Sequence, residues 1–454
     1  MRRPIPTAIL FFGATLVAGC FTLTDYDNID DSRDETFTLP FVQNLEGFDV
    51  LFVVSPSPGA DSLLLDMGVM APGMLGSLDY ALENAQSSST RLHIGVITPN
   101  LGTGDHGSGL CANGGDRAEL QTVTGSGCPD LEGTHIVVVD DVVQNMDWVL
   151  DVPTAVQCLI DGQMERDAGC DFEQPLAAVA KALDLAQTPD NEGFFRPDAG
   201  LAVVLMTDKD DCSASADDLF DPSNSTLGPP GTFRCFEWGV TCDEDARVPG
   251  PKNGCRPRAA VEGGLLYEPS HLAEMIFSHK SRSAVVFATV AQPADPVVVA
   301  LNTLGDPYVQ SSCGGDGDDG APGVRLAAFL AQLGDLGLDD SMCTPQLPDL
   351  LFKISERMAS QAVSRCMPMV PADMDKDAAG LQAQCTAWDV LNLGQIDEVR
   401  SGDIVSFAVT GDVPPCWRVV EDSVCTSDYK MEVLREEEPA AGSVVEATCR
   451  VLIE

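Results

Sequence analysis

The chain opens its apolar patterning at Phe48. Val50 to Val54 (VLFVV) reads as a buried strand that runs into a turn rich in serine and proline, Ser55-Pro56-Ser57-Pro58-Gly59. A helical pattern follows from Ala60 to Gln86, interrupted at Pro72-Gly73. Leu92 to Thr98 and His135 to Val139 are short runs rich in β-branched residues, and both read as strands. Trp148 to Ile160 reads as a helix. So does the run after Pro175, where Leu176, Val179 and Leu183 fall on one face and proline suits the first turn. Leu201 to Met206 (LAVVLM) is almost purely apolar, as expected of a strand buried on both faces of a parallel sheet. Residues 269 to 280, Val324 to Leu333 and Leu350 to Ala362 read as helices, Ala284 to Val290 as a strand and Val297 to Leu301 as a further strand or sheet edge.

Strands alternating with helices predict an α/β domain over residues 48–365, doubly wound around a mainly parallel sheet of Rossmann-like type. Two long excursions interrupt it, Pro99 to Gly133 and Ser213 to Gly264, each holding cysteines and much glycine. Loops of that length in a compact domain are functional or stapled, and the cysteines favour staples. Beyond residue 365 the helices stop. Asp403 to Val409, Cys416 to Val420, Lys430 to Leu434 and Val444 to Ile453 alternate like strands, predicting a small cysteine-braced β-rich unit over residues 366–454.

The amino terminus changes the picture of where this chain works. Arg2 and Arg3 precede an apolar run, Ile5 to Val17, too short to span a bilayer. Leu16-Val17-Ala18-Gly19-Cys20 then resembles a bacterial lipobox. That resemblance implies a lipoprotein signal peptide over residues 1–19 and a diacylglycerol, with palmitate, on Cys20. It predicts a chain anchored to the membrane by lipid, in the bacterial cell envelope. Phe21 and Thr22 follow the cysteine where inner-membrane retention would place an aspartate, which favours the outer membrane over the inner. Residues 20–47 carry Asp25, Asp27, Asp30, Asp31, Asp34 and Glu35 and read as an acidic tether extended by self-repulsion.

Composition agrees with export and excludes one class of partner. The 454 residues hold 26 Lys and Arg against 70 Asp and Glu, a formal charge of −44, so nucleic acid is not an expected ligand. Of 16 cysteines, Cys20 is assigned to lipid. The other fifteen are Cys111, Cys128, Cys158, Cys170, Cys212, Cys235, Cys242, Cys255, Cys313, Cys343, Cys366, Cys385, Cys416, Cys425 and Cys449. In an exported chain they are disulfide candidates, with an odd one left over. No Cys-x-x-Cys pair occurs, and spacing alone leaves the connectivity open.

The strand DVLFVVS with its serine turn, the strand LHIGVIT, the lead-in CDFEQPLAAVAKAL and the strand LAVVLMTDKDDC occur in an order that resembles the von Willebrand factor A (vWA) family over residues 48–292. The cysteine-rich loops and FRCFEWGVTC look like a lipoprotein subgroup of that family. The resemblance implies a metal-ion-dependent adhesion site at the carboxyl ends of the strands, where oxygen ligands would hold a hard divalent ion such as Mg²⁺. Carried over position by position, Ser57 matches the first serine and Asp208 the later aspartate. Ser55 replaces the first aspartate, Gly59 the second serine, and Cys170 falls near the threonine. The site is therefore degenerate, and no cofactor is expected.

Other acidic groups offer a Ca²⁺ alternative. They are Asp210 with Asp211, the run Asp316 to Asp319, and Asp373-Met374-Asp375-Lys376-Asp377, which lacks the glycine and glutamate of a calcium loop at Ala378 and Gln384. The histidines His93, His106, His135, His271 and His279 show no metal-ligand spacing, and His106 beside Asp105 is the best acid–base candidate among them. No catalytic residue is singled out. The sequence predicts a non-enzymatic protein-binding module for adhesion, assembly or scaffolding, with an unknown envelope or extracellular protein as partner. Two alternatives are an extracytoplasmic hydrolase using a carboxylate pair and a Ca²⁺-stabilised structural lipoprotein.

Overall fold

The computed structural model describes residues 32–39, 47–56, 91–106, 111, 114–139, 142–146, 150–165, 170–196, 199–229, 231–280, 284–314, 320–344, 346–363, 367–374, 381–391, 399–406, 414–421, 427–434 and 443–452. The expected leader with Cys20, the serine turn from Ser57 onward, the helix expected at residues 60–86, the run Asp316 to Asp319, and Cys366 and Cys425 lie outside the described residues.

Two apolar strands lie side by side at the centre of the main sheet because neither has a face to give to water. Every residue of β2 (Phe48–Val54) and of β6 (Gly200–Met206) is buried, and they pair in parallel from Phe48 against Gly200 to Val54 against Met206. β3 (Arg91–Ile97) pairs in parallel on the other side of β2, and β10 (Val285–Ala291), also buried throughout, on the other side of β6. Beyond β10 comes β13 (Gly337–Ser341), and beyond β3 the antiparallel pair β4 (Ile136–Val139) and β5 (Val142–Val143), completing a seven-stranded sheet.

The two-residue period of β2 sorts its side chains between two cores. Phe48, Val50, Phe52 and Val54 pack on one side with α1 (Val152–Met164) and α6 (Leu347–Val363). Leu51 and Val53 pack on the other with α2 (Pro175–Asp184), α4 (Pro269–Phe277) and α5 (Val324–Leu333). This is a helix–sheet–helix sandwich with a mixed, mainly parallel sheet, consistent with a vWA-like arrangement. Among the described residues, no helix is long and apolar enough to cross a membrane.

The excursion after β6 is more ordered than its composition suggests. It contains α3 (Phe233–Gly239) and contributes strands to two small sheets. One is made of β8 (Gly250–Lys252), β11 (Val297–Leu301) and β12 (Pro307–Val309), the other of β7 (Val240–Thr241) and β9 (Arg256–Pro257). Six disulfides join described residues: Cys111–Cys170, Cys128–Cys158, Cys212–Cys235, Cys242–Cys255, Cys313–Cys343 and Cys385–Cys449. Cys416 is buried and unbridged.

The β-rich region forms a six-stranded sheet in the order β1, β18, β14, β15, β16, β17. Its strands are β1 (Ser32–Leu39), β14 (Cys385–Leu391), β15 (Val399–Ser406), β16 (Cys416–Glu421), β17 (Tyr429–Leu434) and β18 (Ser443–Leu452). The Cys385–Cys449 bridge links directly opposed residues of β14 and β18.

The place of β1 corrects the tether reading for residues 32–39, while 20–31 and 40–46 lie outside the described residues. Residues 32–39 pair antiparallel with β18, from Ser32 opposite Leu452 to Leu39 opposite Val445. The acids there do not simply repel one another. Glu35 lies 3.1 Å from Arg33, and Asp34 lies 3.4 Å from Arg450, whose Nε donates to Ser32 Oγ. A charged strand at a sheet edge is also a normal guard against unwanted pairing. Its partner stands more than four hundred residues away, so local patterning could not reveal it.

Candidate functional site

The carboxyl ends of β2 and β6 converge on one buried carboxylate. Ser55, immediately after β2, is fully buried and donates its backbone N–H to Met206 O at 3.0 Å. Thr207 follows β6 and donates its backbone N–H to Val290 O of β10 at 3.1 Å. Glu173 sits just before α2, where Gln174 is the N-cap and Pro175 opens the helix. Ser55 Oγ donates to Glu173 Oε1 at 2.6 Å, and Thr207 Oγ1 donates to Oε2 at 2.5 Å.

A cation from the chain itself completes this group. Lys209 Nζ lies 3.3 Å from Asp171 Oδ1 and 3.9 Å from Glu173 Oε1, and the Lys209 backbone N–H donates to Thr207 Oγ1 at 3.0 Å. Burial pushes the Glu173 carboxyl up to about 7. The Asp208 charge adds to that shift, while Lys209 and the two hydroxyls oppose it. Burial alone would lower the Lys209 pKa, but Glu173, then Asp208 and Asp171, hold it above the ordinary lysine value. Asp208 is buried, and its carbonyl accepts from Ala321 N at 2.9 Å. Gly320, at φ +136°, lets that segment approach so closely. A Cβ there would stand 1.9 Å from Gln292 Nε2 and 2.6 Å from Asp208 O.

These residues do not fit the divalent site that the family resemblance implies. Position 55 offers a hydroxyl already donating to Glu173, and Ser57 lies outside the described residues. Cys170, expected near the threonine ligand, is bridged to Cys111. The ammonium of Lys209 stands among the carboxylates. At an effective dielectric of about 20, unit charges roughly 4 Å apart interact by about 4 kcal/mol, and a divalent ion entering beside it would meet repulsion of twice that order. Among the described residues, no group of three or more His, Cys, Asp or Glu is arranged to hold a metal ion.

The Ca²⁺ candidates are engaged in a different task. Asp210 caps α5, accepting from Arg325 N at 3.0 Å and Leu326 N at 3.2 Å, and burial raises its carboxyl to about 7. Asp211 accepts from Arg325 Nη2 at 3.0 Å, Ser213 Oγ at 2.5 Å and Leu176 N at 3.2 Å. Arg325 is 1% exposed and also donates to the carbonyls of Asp211, Tyr267 and Gly239. The pair therefore clasps the start of α2 to the start of α5 around a guanidinium. In the third acidic run, Asp373 accepts from Gln382 N at 3.0 Å, while Asp375 and Asp377 lie outside the described residues. His106 faces Asp221 at 3.9 Å, far from Glu173 in the chain and sharing no partner with it.

Sequence reasoning named Ser55 and Asp208 but missed Glu173, Thr207 and Lys209. Their signals were present. An acid directly before a proline-led helix and a Thr-Asp-Lys run directly after the most apolar strand both mark the carboxyl edge of an α/β sheet.

No protein-family model and no curated protein matches the chain at a significant level. Among solved structures it is similar to the pilus adhesin RrgA from Streptococcus pneumoniae, at 9% identity and a TM-score of 0.29, covering 94% of this chain and 60% of that one. It is also similar to the adhesive tip pilin GBS104 from Group B Streptococcus agalactiae, at 11% identity and a TM-score of 0.29, covering 94% of this chain and 84% of that one. Likenesses this distant carry no argument about function, which must rest on the chain's own geometry.

Proposed function

We propose that this chain is a protein-binding module of the bacterial cell envelope, held to the membrane by lipid on Cys20, with the outer membrane favoured. It presents the loops at the carboxyl ends of the main sheet to an envelope or extracellular protein. Its role is adhesion, assembly or scaffolding rather than catalysis, and its binding face works without a bound metal. The observation that carries this reading is the closed state of Glu173. The carboxylate of Glu173 at the strand ends is buried, with each oxygen taken by a hydroxyl and an ammonium beside it. A carboxyl so enclosed is available neither to a substrate nor to an attacking water, which disfavours the carboxylate-pair hydrolase. The formal charge of −44 further favours a partner with exposed basic residues over nucleic acid.

The test is capture and crosslinking of a partner from envelope extract with the mature, lipidated chain. Asp171 is half-exposed at the strand-end face. Asp171→Arg is expected to reduce capture of the same partner at least tenfold, roughly 1.4 kcal/mol of binding. Glu192→Arg, in the exposed loop near the opposite end of the sheet, should leave it unchanged. Equal loss in both variants, or turnover in a hydrolase substrate panel, would sink the reading.

A further inference from the structure

The strand-end face gathers Asp171 and Glu173 around Lys209, which follows the buried Asp208 in the chain, and the acidic pair beside it, Asp210 and Asp211, around Arg325. In each case the positive charge belongs to the chain. Lys209 is fixed at both ends, by its backbone N–H on Thr207 Oγ1 and by Nζ between Asp171 and Glu173. Its side chain is only 18% exposed, so the ammonium lies inside the cluster rather than over it. Resting on the binding-module reading above, we propose that Lys209 is a resident counter-cation that closes this carboxylate cluster, and that partner binding at this face is therefore independent of divalent ions.

Two carboxylates within 4 Å of one spot, one of them buried, need a cation, because burying unpaired negative charge is costly. A freely exchanging ion would make the face depend on the medium. A lysine supplied by the same strand end makes it constant, and its three donors match carboxylate oxygens without requiring the regular coordination shell of Mg²⁺. Glu173 is kept in register by the hydroxyls of Ser55 and Thr207, so the cluster is braced from both central strands before any partner arrives.

The experiment titrates the full chain with MgCl₂, CaCl₂ and MnCl₂ at constant ionic strength, by calorimetry and thermal melting, and repeats partner capture in chelator. For the wild type we expect no saturable heat at millimolar ion, and equal capture with and without chelator. Lys209→Ala should melt below the wild type in chelator and recover by roughly 2–4 °C more than the wild type when a divalent ion is added. Lys209→Arg should ignore the ions as the wild type does. Saturable micromolar Mg²⁺ binding by the wild type, abolished by Asp208→Asn, would overturn the inference. So would a Lys209→Ala chain that melts like the wild type and gains nothing from added ion. If Lys209→Ala does not fold, the wild-type titration and Lys209→Arg still decide. Capture that requires Mg²⁺ would refute the resident cation while leaving the binding module standing, whereas no capture under either condition would refute the module itself.

Discussion

At the amino end of the main sheet, Asp49 of β2 is fully buried and accepts from Arg196 Nε and Arg196 N, both at 2.8 Å. Arg196 Nη2 donates to Phe48 O, and Lys280 Nζ donates to Arg196 O. His93 and His135 lie alongside with ring centroids 4.5 Å apart, both lowered to about 4, by burial first, and so neutral at pH 7. At the carboxyl end, six residues after Asp49 on the same chain segment, Ser55 gives its hydroxyl to Glu173, whose charge is countered by a lysine 3.9 Å away. The amino end is therefore held by a close, directional ion pair. Around Glu173 the carboxyl end is held by two hydroxyl hydrogen bonds and a looser ammonium, with the buried Asp211–Arg325 pair at 3.0 Å beside it, and Cys111–Cys170 and Cys212–Cys235 staple the same end. Around Glu173, where charge pairing is loose, covalent links add to the positioning.

The largest test of that contrast is to cut the staple that leads into Glu173. Cys111 and Cys170 lie 59 residues apart in sequence, and chain-entropy arguments assign a bridge of that span about 4 kcal/mol. Replacing both by alanine should lower urea-unfolding stability by about that amount, with amide exchange rising first around Asp171 to Gln174 and β2 to β6 pairing largely preserved. Uniform loss of protection across the sheet would break the proposed division between a stapled end and an ion-paired end.

A smaller effect is expected at the amino end. Asp49→Asn keeps the shape but removes the counter-charge, leaving a guanidinium that is only 15% exposed. Breaking one side of a buried pair costs about 3–5 kcal/mol, and partial access of Arg196 to water places this case at the lower limit, about 3 kcal/mol. The readout is the urea midpoint of the α/β domain. A change below about 1 kcal/mol would mean that Arg196 finds other partners and that the pair is not what holds this end.

The fold was far more legible than the site. β2, β6 and β10 announce themselves because a strand buried on both faces must be apolar at nearly every position, Asp49 and Thr289 being the polar exceptions. β13 did not, because GLDDS is short and polar and lies at the sheet edge, where propensity carries little information. β1 was hidden for a different reason: its register depends on β18 at the far end of the chain. At the site, Ser55 and Asp208 could be placed by resemblance, but the residues that decide its chemistry could not. Glu173 and Lys209 are 36 positions apart, and nothing in either local run says that their charges will meet. The same holds for Arg325 and Asp211, 114 positions apart, whose pairing turns two candidate Ca²⁺ ligands into a clasp.

The smallest effect is expected at Glu173. Glu173→Gln removes the charge but keeps one acceptor and adds a donor, and the hydroxyls of Ser55 and Thr207 can turn to match either. Because burial raises this carboxyl to about 7, much of the cost of holding it charged is relieved by substitution. The net change near pH 7 should stay within about 1 kcal/mol, against about 3 for the same kind of change at Asp49, where burial also raises the carboxyl, to about 6, but the guanidinium of Arg196 lies only 2.8 Å away. The pH dependence has a fixed sign. A carboxyl raised from 4.5 to about 7 binds a proton more readily in the folded state. Its stabilising contribution is thus fully present below about 4.5 and lost as pH rises through about 7. Wild type should therefore outlast Glu173→Gln at pH 5 and lose that advantage by pH 8, when unfolding of the two chains is followed side by side in urea. A variant penalty that grows with pH across that window would show that the ammonium of Lys209 keeps Glu173 ionised throughout, and that the two ends of the sheet hold their carboxylates in the same way.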